Sequence, residues 1–209
     1  MYRNNQKRQC LICFNDINKY PSLYHLLYQP TLCLKCLNKF AIYNCHHYYH
    51  GYPLIILYYY NDFFKNILFQ YKGQGDYALK DAFLNSFPNL KRKYHKHTIA
   101  IIPSSKHDNI KRGFNPNEMI ARSFNDNIFT GLFKINDYKQ TKQTDRSLVN
   151  KIIKINDGEQ LYNKDVIIFD DVITSGNTIM TCTKIIESYQ PRSITLLVMA
   201  SNQLNELFK

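Results

Sequence analysis

A chain of 209 residues with 44% hydrophobic content is long enough for one α/β domain and a small appendage, and none of its apolar runs nears the roughly 20 residues of a membrane-spanning helix. Its formal net charge of +11 is uneven: residues 1–98 hold 13 Lys/Arg against 4 acids, and residues 99–209 hold 14 against 12. Membrane insertion is therefore not expected, while the basic first half has the field that attracts polyanions, nucleic acid among them.

Met1 to Arg8 is polar and leads into no apolar stretch, so a secretory signal is not expected and cytoplasm is the default compartment. Cys10-x-x-Cys13 and Cys33-x-x-Cys36 follow, 19 residues apart, which is the spacing of four-thiolate zinc sites. So small a module has too little core to fold alone, and the metal would be structural. Redox chemistry is the alternative for a lone pair and is weaker for two. Four thiolates complete a tetrahedron, which leaves Cys45, His46, His47 and His50 as bystanders, and Cys182 reads as core.

Seven tyrosines (43, 48, 49, 52, 58, 59 and 60) crowd the next stretch. They suit packing at a domain junction or stacking platforms for single-stranded nucleic acid, and packing is the less demanding reading. The pattern changes near residue 58, giving a zinc-ribbon-like module with a tyrosine-rich junction over 1–57 and an α/β domain over 58–209. From Asp62 to Tyr71 the apolar residues Phe63, Phe64, Ile67, Leu68 and Tyr71 fall at helical spacing, and Gly73 and Gly75 end the segment. Asp76 is expected to cap a second helix carrying Tyr77, Leu79, Phe83 and Leu84. The basic run Lys91 to His97 reads as a solvated face, and Thr98 to Ile102 as a buried strand.

A polar loop is expected over Pro103 to Gly113. Asn115 to Glu118 then resembles a variant capping box with Pro116 at the first helical position, opening a helix to about Phe124. Residues 137–164 are polar, with Val149, Ile152, Ile153 and Ile155 suggesting a packed turn. The last part is a βαβ unit: a strand over Asp165 to Phe169, a helix over Thr178 to Tyr189 and a strand over Ser193 to Met199.

Open α/β sheets bind ligands beyond the carboxyl ends of their strands, where Asp170 and Asp171 stand. Two adjacent carboxylates can take the hydrogens of a ribose diol, directly or through Mg²⁺ and its waters. Thr174, Ser175, Gly176, Asn177 and Thr178 supply hydroxyls, a glycine and free N–H groups opening a helix, the equipment for a phosphate. A generic strand end with a Ser/Thr turn is the plainer alternative, but strand, double acid and hydroxyl loop occur here in one order at one spacing.

At these residues the chain resembles the type I phosphoribosyltransferases, whose fingerprint is an apolar strand followed by Asp-Asp-Val-hydroxyl-Thr-Gly-x-Thr, with Ser175 standing where threonine is usual. Adding the cysteine pairs, Arg112-Gly113-Phe114-Asn115 and Gln143, it looks like the ComF family of late competence proteins from about Cys10 to Ala200, although Pro116 stands where that family has glutamine. The resemblance implies a type I phosphoribosyltransferase-like parallel sheet flanked by helices. It implies 5-phosphoribosyl-1-pyrophosphate (PRPP) as ligand with Mg²⁺, and Asp170 and Asp171 as the catalytic pair. Pro103, Ser104, Ser105 and Lys106 would form a pyrophosphate loop, with Arg112 a second cation. Zinc, single-stranded DNA and other DNA-uptake proteins are the implied partners. Two functions stay open: a PRPP-site protein of DNA uptake, and an Mg²⁺-dependent phosphoribosyltransferase on an unidentified acceptor.

Overall fold

The computed structural model describes residues 8–17, 23, 27, 30–135 and 153–204. Gln143, Val149 and Ile152 lie outside the described residues. Near the N-terminus Cys10 and Cys13 lie in a tight turn, in which the Phe14 N–H donates to the Cys10 carbonyl at 2.9 Å. Cys33 precedes the one-turn helix α1 (Leu34–Leu37), and its carbonyl accepts from the N–H groups of Cys36 and Leu37.

The tyrosine-rich stretch is a β-hairpin, β1 (Ile42–Tyr49) paired antiparallel with β2 (Tyr52–Tyr59). His50 and Gly51, both at positive φ (48° and 87°), make the two-residue turn, as primed hairpin turns require. The boundary expected at 57/58 falls within β2, which pairs in parallel with a strand near the C-terminus.

Helix α2 (Asp62–Gly73) starts on Asn61, whose side chain accepts from the Phe64 N–H, and buries Phe64, Ile67, Leu68 and Tyr71 as the spacing predicts. The second helix does not form as expected. Tyr77–Ala82 is a 3-10 turn and Asp76 makes no capping bond. Helix α3 (Leu90–Tyr94) carries the basic run, and β3 (Thr98–Ile101) is buried throughout. The expected polar loop contains α4 (Lys106–Arg112), capped by Ser105 and closed by Gly113 at φ 82°. None of its residues is buried, so hydrophobic periodicity could not reveal it.

Pro116 opens α5 (Pro116–Arg122) at the first position, but the capping box is absent. Asn115 makes no side-chain cap, and Glu118 instead pairs with Arg122 at 2.8 Å, four residues on. Strands β4 (Ile128–Phe129) and β5 (Leu132–Lys134) follow, and β5 pairs with β6 (Ile153–Ile155), so Ile153 and Ile155 belong to a strand rather than a packed turn. The βαβ unit comprises β7 (Asp165–Ile173), α6 (Asn177–Glu187) and β8 (Ser193–Ser201).

The main sheet has the order β1-β2-β8-β7-β3-β4, parallel throughout except for the β1–β2 hairpin. Strand alternation divides the core. Ile167 and Phe169 of β7 face a cluster with Phe64, Ile67 and Ile120 from α2 and α5, whereas Val166 and Ile168 face Ile179, Cys182 and Ile186 of α6. Cys10, Ile17, Leu32, Cys36 and Phe40 of the N-terminal segment join the first cluster beside Tyr58 and Phe83. Each large apolar side chain buried there contributes about 1.5–3 kcal/mol.

Candidate functional site

Strand β7 does not end at Phe169. Because β8 continues beside it, with Asp170 opposite Val198 and Val172 opposite Ala200, the ladder carries both acids inside the strand and releases the chain only after Ile173. Alternation along β7 holds through Phe169 and then shifts, for Val172 packs against the first cluster and Ile173 joins the second, so both acids meet helices of the first face. Lys72 Nζ of α2 stands 2.6 Å from Asp171 Oδ2. Asp170 accepts at Oδ1 from Asn117 Nδ2 of α5 (2.8 Å) and from the Asp171 N–H (2.9 Å).

The two carboxyls differ electrostatically. Burial, then the adjacent Asp171 charge, drive Asp170 well above the ordinary carboxyl range. Burial also opposes charge on Asp171, but the Lys72 ammonium and a hydrogen bond from Asp170 outweigh it and hold that carboxyl below its usual value. The two adjacent carboxyls are thus pushed in opposite directions.

Beyond Ile173 the chain turns through Thr174, Ser175 and Gly176 into α6. Gly176 is the N-cap at φ 72°, a left-handed conformation that other residues rarely adopt. These residues line a cavity of about 200 Å³ together with Lys72, Ile102, Pro103, Ser104, Asn117, Lys134, Asp170, Asp171, Asn177 and Thr178. The end of β7 and the N-terminus of α6 both contribute to its lining. Ser104 Oγ donates to Asn109 Oδ1 at 2.8 Å.

The structure therefore brings together both acids, all five loop residues, Pro103 and Ser104. It does not bring Ser105, Lys106 or Arg112 to the cavity wall. Ser105 caps α4, Lys106 is exposed at its start, and the Arg112 guanidinium sits 3.9 Å from Asp108 on the same helix. Sequence reasoning missed Lys72, Asn117 and Lys134. Two had a readable signal. Lys72 stands four residues after Leu68 on the buried stripe of α2, and Asn117 shares the buried face of α5 with Ile120 and Ala121; a polar residue on an apolar stripe invites a function. Lys134, in a three-residue strand, had none.

The four cysteines of the paired motif converge, their sulfurs all within 4.8 Å of one another and Cys13 Sγ 3.6 Å from Cys33 Sγ. Burial opposes a Cys10 thiolate, yet hydrogen bonds from the backbone of Cys13, Cys33 and Ile12 bring its pKa down to about 7. Burial and the neighbouring thiols push Cys36 up strongly. Four sulfurs this close cannot all ionise without a cation among them, so the donor set fits a tetrahedral metal such as zinc. Cys45 lies apart on β1, and Cys182 is fully buried in α6.

Residues 110–208 match the family described as phosphoribosyl transferase domain. A curated relative, Competence protein ComFC of Bacillus subtilis (strain 168), is 32% identical over 130 residues, 59% of this chain and 53% of that protein. The chain thus spans about half the length of that relative. Among solved structures, a hypoxanthine phosphoribosyltransferase from Staphylococcus aureus is 18% identical with a TM-score of 0.32, covering 67% of this chain and 64% of that one. Adenine phosphoribosyltransferase from Saccharomyces cerevisiae is 15% identical with a TM-score of 0.37, covering 83% and 91%. The chain is thus similar to ComFC over 130 residues and matches the phosphoribosyl transferase domain over residues 110–208, and its N-terminal segment carries a tetracysteine cluster.

Proposed function

We propose that this chain is a competence protein that binds PRPP in the cavity at the carboxyl end of β7. The observation that carries the reading is the convergence of Asp170, Asp171 and Thr174 to Thr178 on one cavity, which Pro103 and Ser104 also line. In this reading the backbone N–H groups and hydroxyls of Thr174 to Thr178 hold the 5-phosphate at the N-terminus of α6. Asp170 and Asp171 hold the ribose diol, and the pyrophosphate lies toward Pro103 and Ser104. The pyrophosphate loop extends to Ser105 and Lys106, with Arg112 beyond it, if α4 moves toward the ligand. The paired carboxylates fit Mg²⁺, a hard cation that prefers oxygen ligands, and when bound it would draw charge from the pyrophosphate. The chain's own residues fix the ribose and phosphate and keep the reacting carbon oriented.

The same reading places structural zinc at Cys10, Cys13, Cys33 and Cys36, and a working site in the cytoplasm beside the DNA-uptake proteins. Single-stranded DNA is the polyanion we assign to the basic half. Tyr48, 76% exposed on β1, offers a ring for base stacking, whereas Tyr49 and Tyr58 are buried. Transfer of the phosphoribosyl group to an acceptor is the second reading, favoured by the presence of both acids and the loop in one cavity.

Calorimetry tests the first claim. The protein should bind PRPP with Mg²⁺ present, and Asp170→Asn combined with Asp171→Asn should weaken it at least about a hundredfold, as loss of charged contacts does. Absence of PRPP heat at millimolar ligand, or a double variant that binds as tightly as the wild type with an unchanged circular dichroism spectrum, sinks the reading. Pyrophosphate release from PRPP with a panel of bases tests turnover in the same samples.

A further inference from the structure

Lys72 contributes the one ion pair described within the cavity, and its position matters for any cation that approaches the acids. It projects from the last turn of α2 and reaches Asp171 with its side chain still 28% exposed, while the carboxylate is 10% exposed. The ammonium therefore occupies a place beside Asp171 that an incoming cation would also seek. Asp170 is already held on its Oδ1 by Asn117 and by the Asp171 N–H. A divalent metal that binds Asp171 must either share a buried carboxylate with an ammonium or displace it. Sharing sets three positive charges around one anion where solvent screening is weak, and displacement leaves a lysine without a partner. A polyanion changes the balance, because its own charges can receive the displaced ammonium at the same rim. Lys134, which also lines the cavity, adds positive charge from the β5 side.

We propose that Lys72 is the resident counter-ion of the acid pair and couples metal binding to polyanion binding. Metal alone is resisted; metal together with a pyrophosphate-bearing ligand is accepted, with Lys72 moving from Asp171 to the ligand. This rests on the ligand reading above and names the group that enforces its metal dependence. By reciprocity, whatever factor the polyanion adds to metal affinity the metal adds to polyanion affinity.

The test uses the zinc-loaded full chain with Mn²⁺ and inorganic pyrophosphate as probes, followed by water-proton relaxation and calorimetry. Mn²⁺ alone should bind the wild type weakly. Lys72→Met should bind it about tenfold or more tightly, Lys72→Arg should behave as the wild type, and adding Asp171→Asn to Lys72→Met should remove the gain. At saturating Mn²⁺, pyrophosphate should bind Lys72→Met about tenfold more weakly than the wild type. Circular dichroism and melting establish that each variant is folded.

A folded Lys72→Met protein that binds Mn²⁺ no more tightly than the wild type overturns the proposal. So does a Lys72→Arg protein that gains as much as Lys72→Met, or a pyrophosphate affinity that ignores Lys72. Wild-type PRPP calorimetry separates the two ideas. If Mn²⁺ and pyrophosphate behave as expected while PRPP fails to bind, the ribosyl reading falls and the counter-ion role stands. If PRPP binds the wild type but Lys72→Met shows neither change, only the counter-ion role falls.

Discussion

Gly176 shows how much one residue can be asked to do at a site of this kind. Its φ of 72° lies where an L side chain is strained, and a Cβ built there would overlap the Tyr49 hydroxyl, with the ring carbons Cζ and Cε1 at 2.7 and 2.8 Å. Tyr49, buried on β1, donates from that hydroxyl to the Ser175 carbonyl at 3.3 Å. A side chain at 176 would thus strike the tyrosine-rich hairpin, and under the proposed reading phosphate affinity would fall because the loop moves. Gly176→Ala should destabilise the fold by about 1–3 kcal/mol, the sum of left-handed strain and overlap. In a Tyr49→Ala background the overlap is gone, so the further cost of Gly176→Ala should shrink to about 1 kcal/mol. Urea unfolding of the four proteins measures this, and equal costs in both backgrounds would show that Tyr49 does not press on the loop. The glycine and the loop were legible from the sequence because hydroxyls and a glycine between strand and helix form a local pattern. Tyr49 was not, because its place behind the loop depends on a contact 126 residues away.

At the level of elements, legibility followed burial. Helix α2, strands β3, β7 and β8 and helix α6 all display their core-facing residues in order, so periodicity reveals them. Helix α4, with no buried residue, offers only a serine cap and a closing glycine. The extension of β7 through Asp170 and Asp171 was hidden for another reason, since two acids end an apolar run in sequence while the partner strand β8 prolongs the ladder in space. The opposite end of the same pair is tied by charge. Asp165 accepts from Arg192 Nε at 2.8 Å and from Ser193 Oγ at 2.7 Å, pairs with the second guanidinium nitrogen, and is held well below the usual carboxylate range, first by the Arg192 hydrogen bond. A carboxyl with a depressed folded-state pKa stabilises above its unfolded value, about 3.9, and loses that contribution as pH falls through the folded value. Asp165→Asn should therefore lower Tm by about 1–2 °C at neutral pH, the small effect of an exposed pair, and the gap should close as the pH is taken well below 4. A gap that stays constant from pH 7 to pH 2 would assign the effect to packing instead.

In the whole molecule, the cysteine cluster and the sheet are not energetically separate. Cys10 and Cys36 are buried in the same apolar cluster as Phe40, Tyr58, Phe64 and Phe83, and the Thr31 N–H donates to Asn85 Oδ1 at 2.8 Å. The Tyr58 hydroxyl donates to the Phe83 carbonyl at 2.6 Å, fixing β2 to the segment after α2. A metal at the four sulfurs would therefore brace the face of the sheet that also supports α2 and its Lys72, and its loss should be felt by the domain as one cooperative unit. The protein purified without added metal should contain one equivalent of zinc. Chelation or Cys10→Ser should lower a single melting transition by about 6–12 °C, corresponding to about 3 kcal/mol. The same preparations report on the basic half. Single-stranded DNA should bind the zinc-loaded protein and lose about tenfold or more in affinity between about 50 and about 200 mM salt, as counterion release requires. The zinc-free protein should bind more weakly at low salt, because the cysteine segment that carries Arg8, Lys35 and Lys39 would lose its fold without the metal. Less than about half an equivalent of zinc with the cluster thiols titrating fully, or a melting transition indifferent to chelation, removes the metal from the account. Affinity for DNA that ignores salt removes the electrostatic partner while leaving the metal in place.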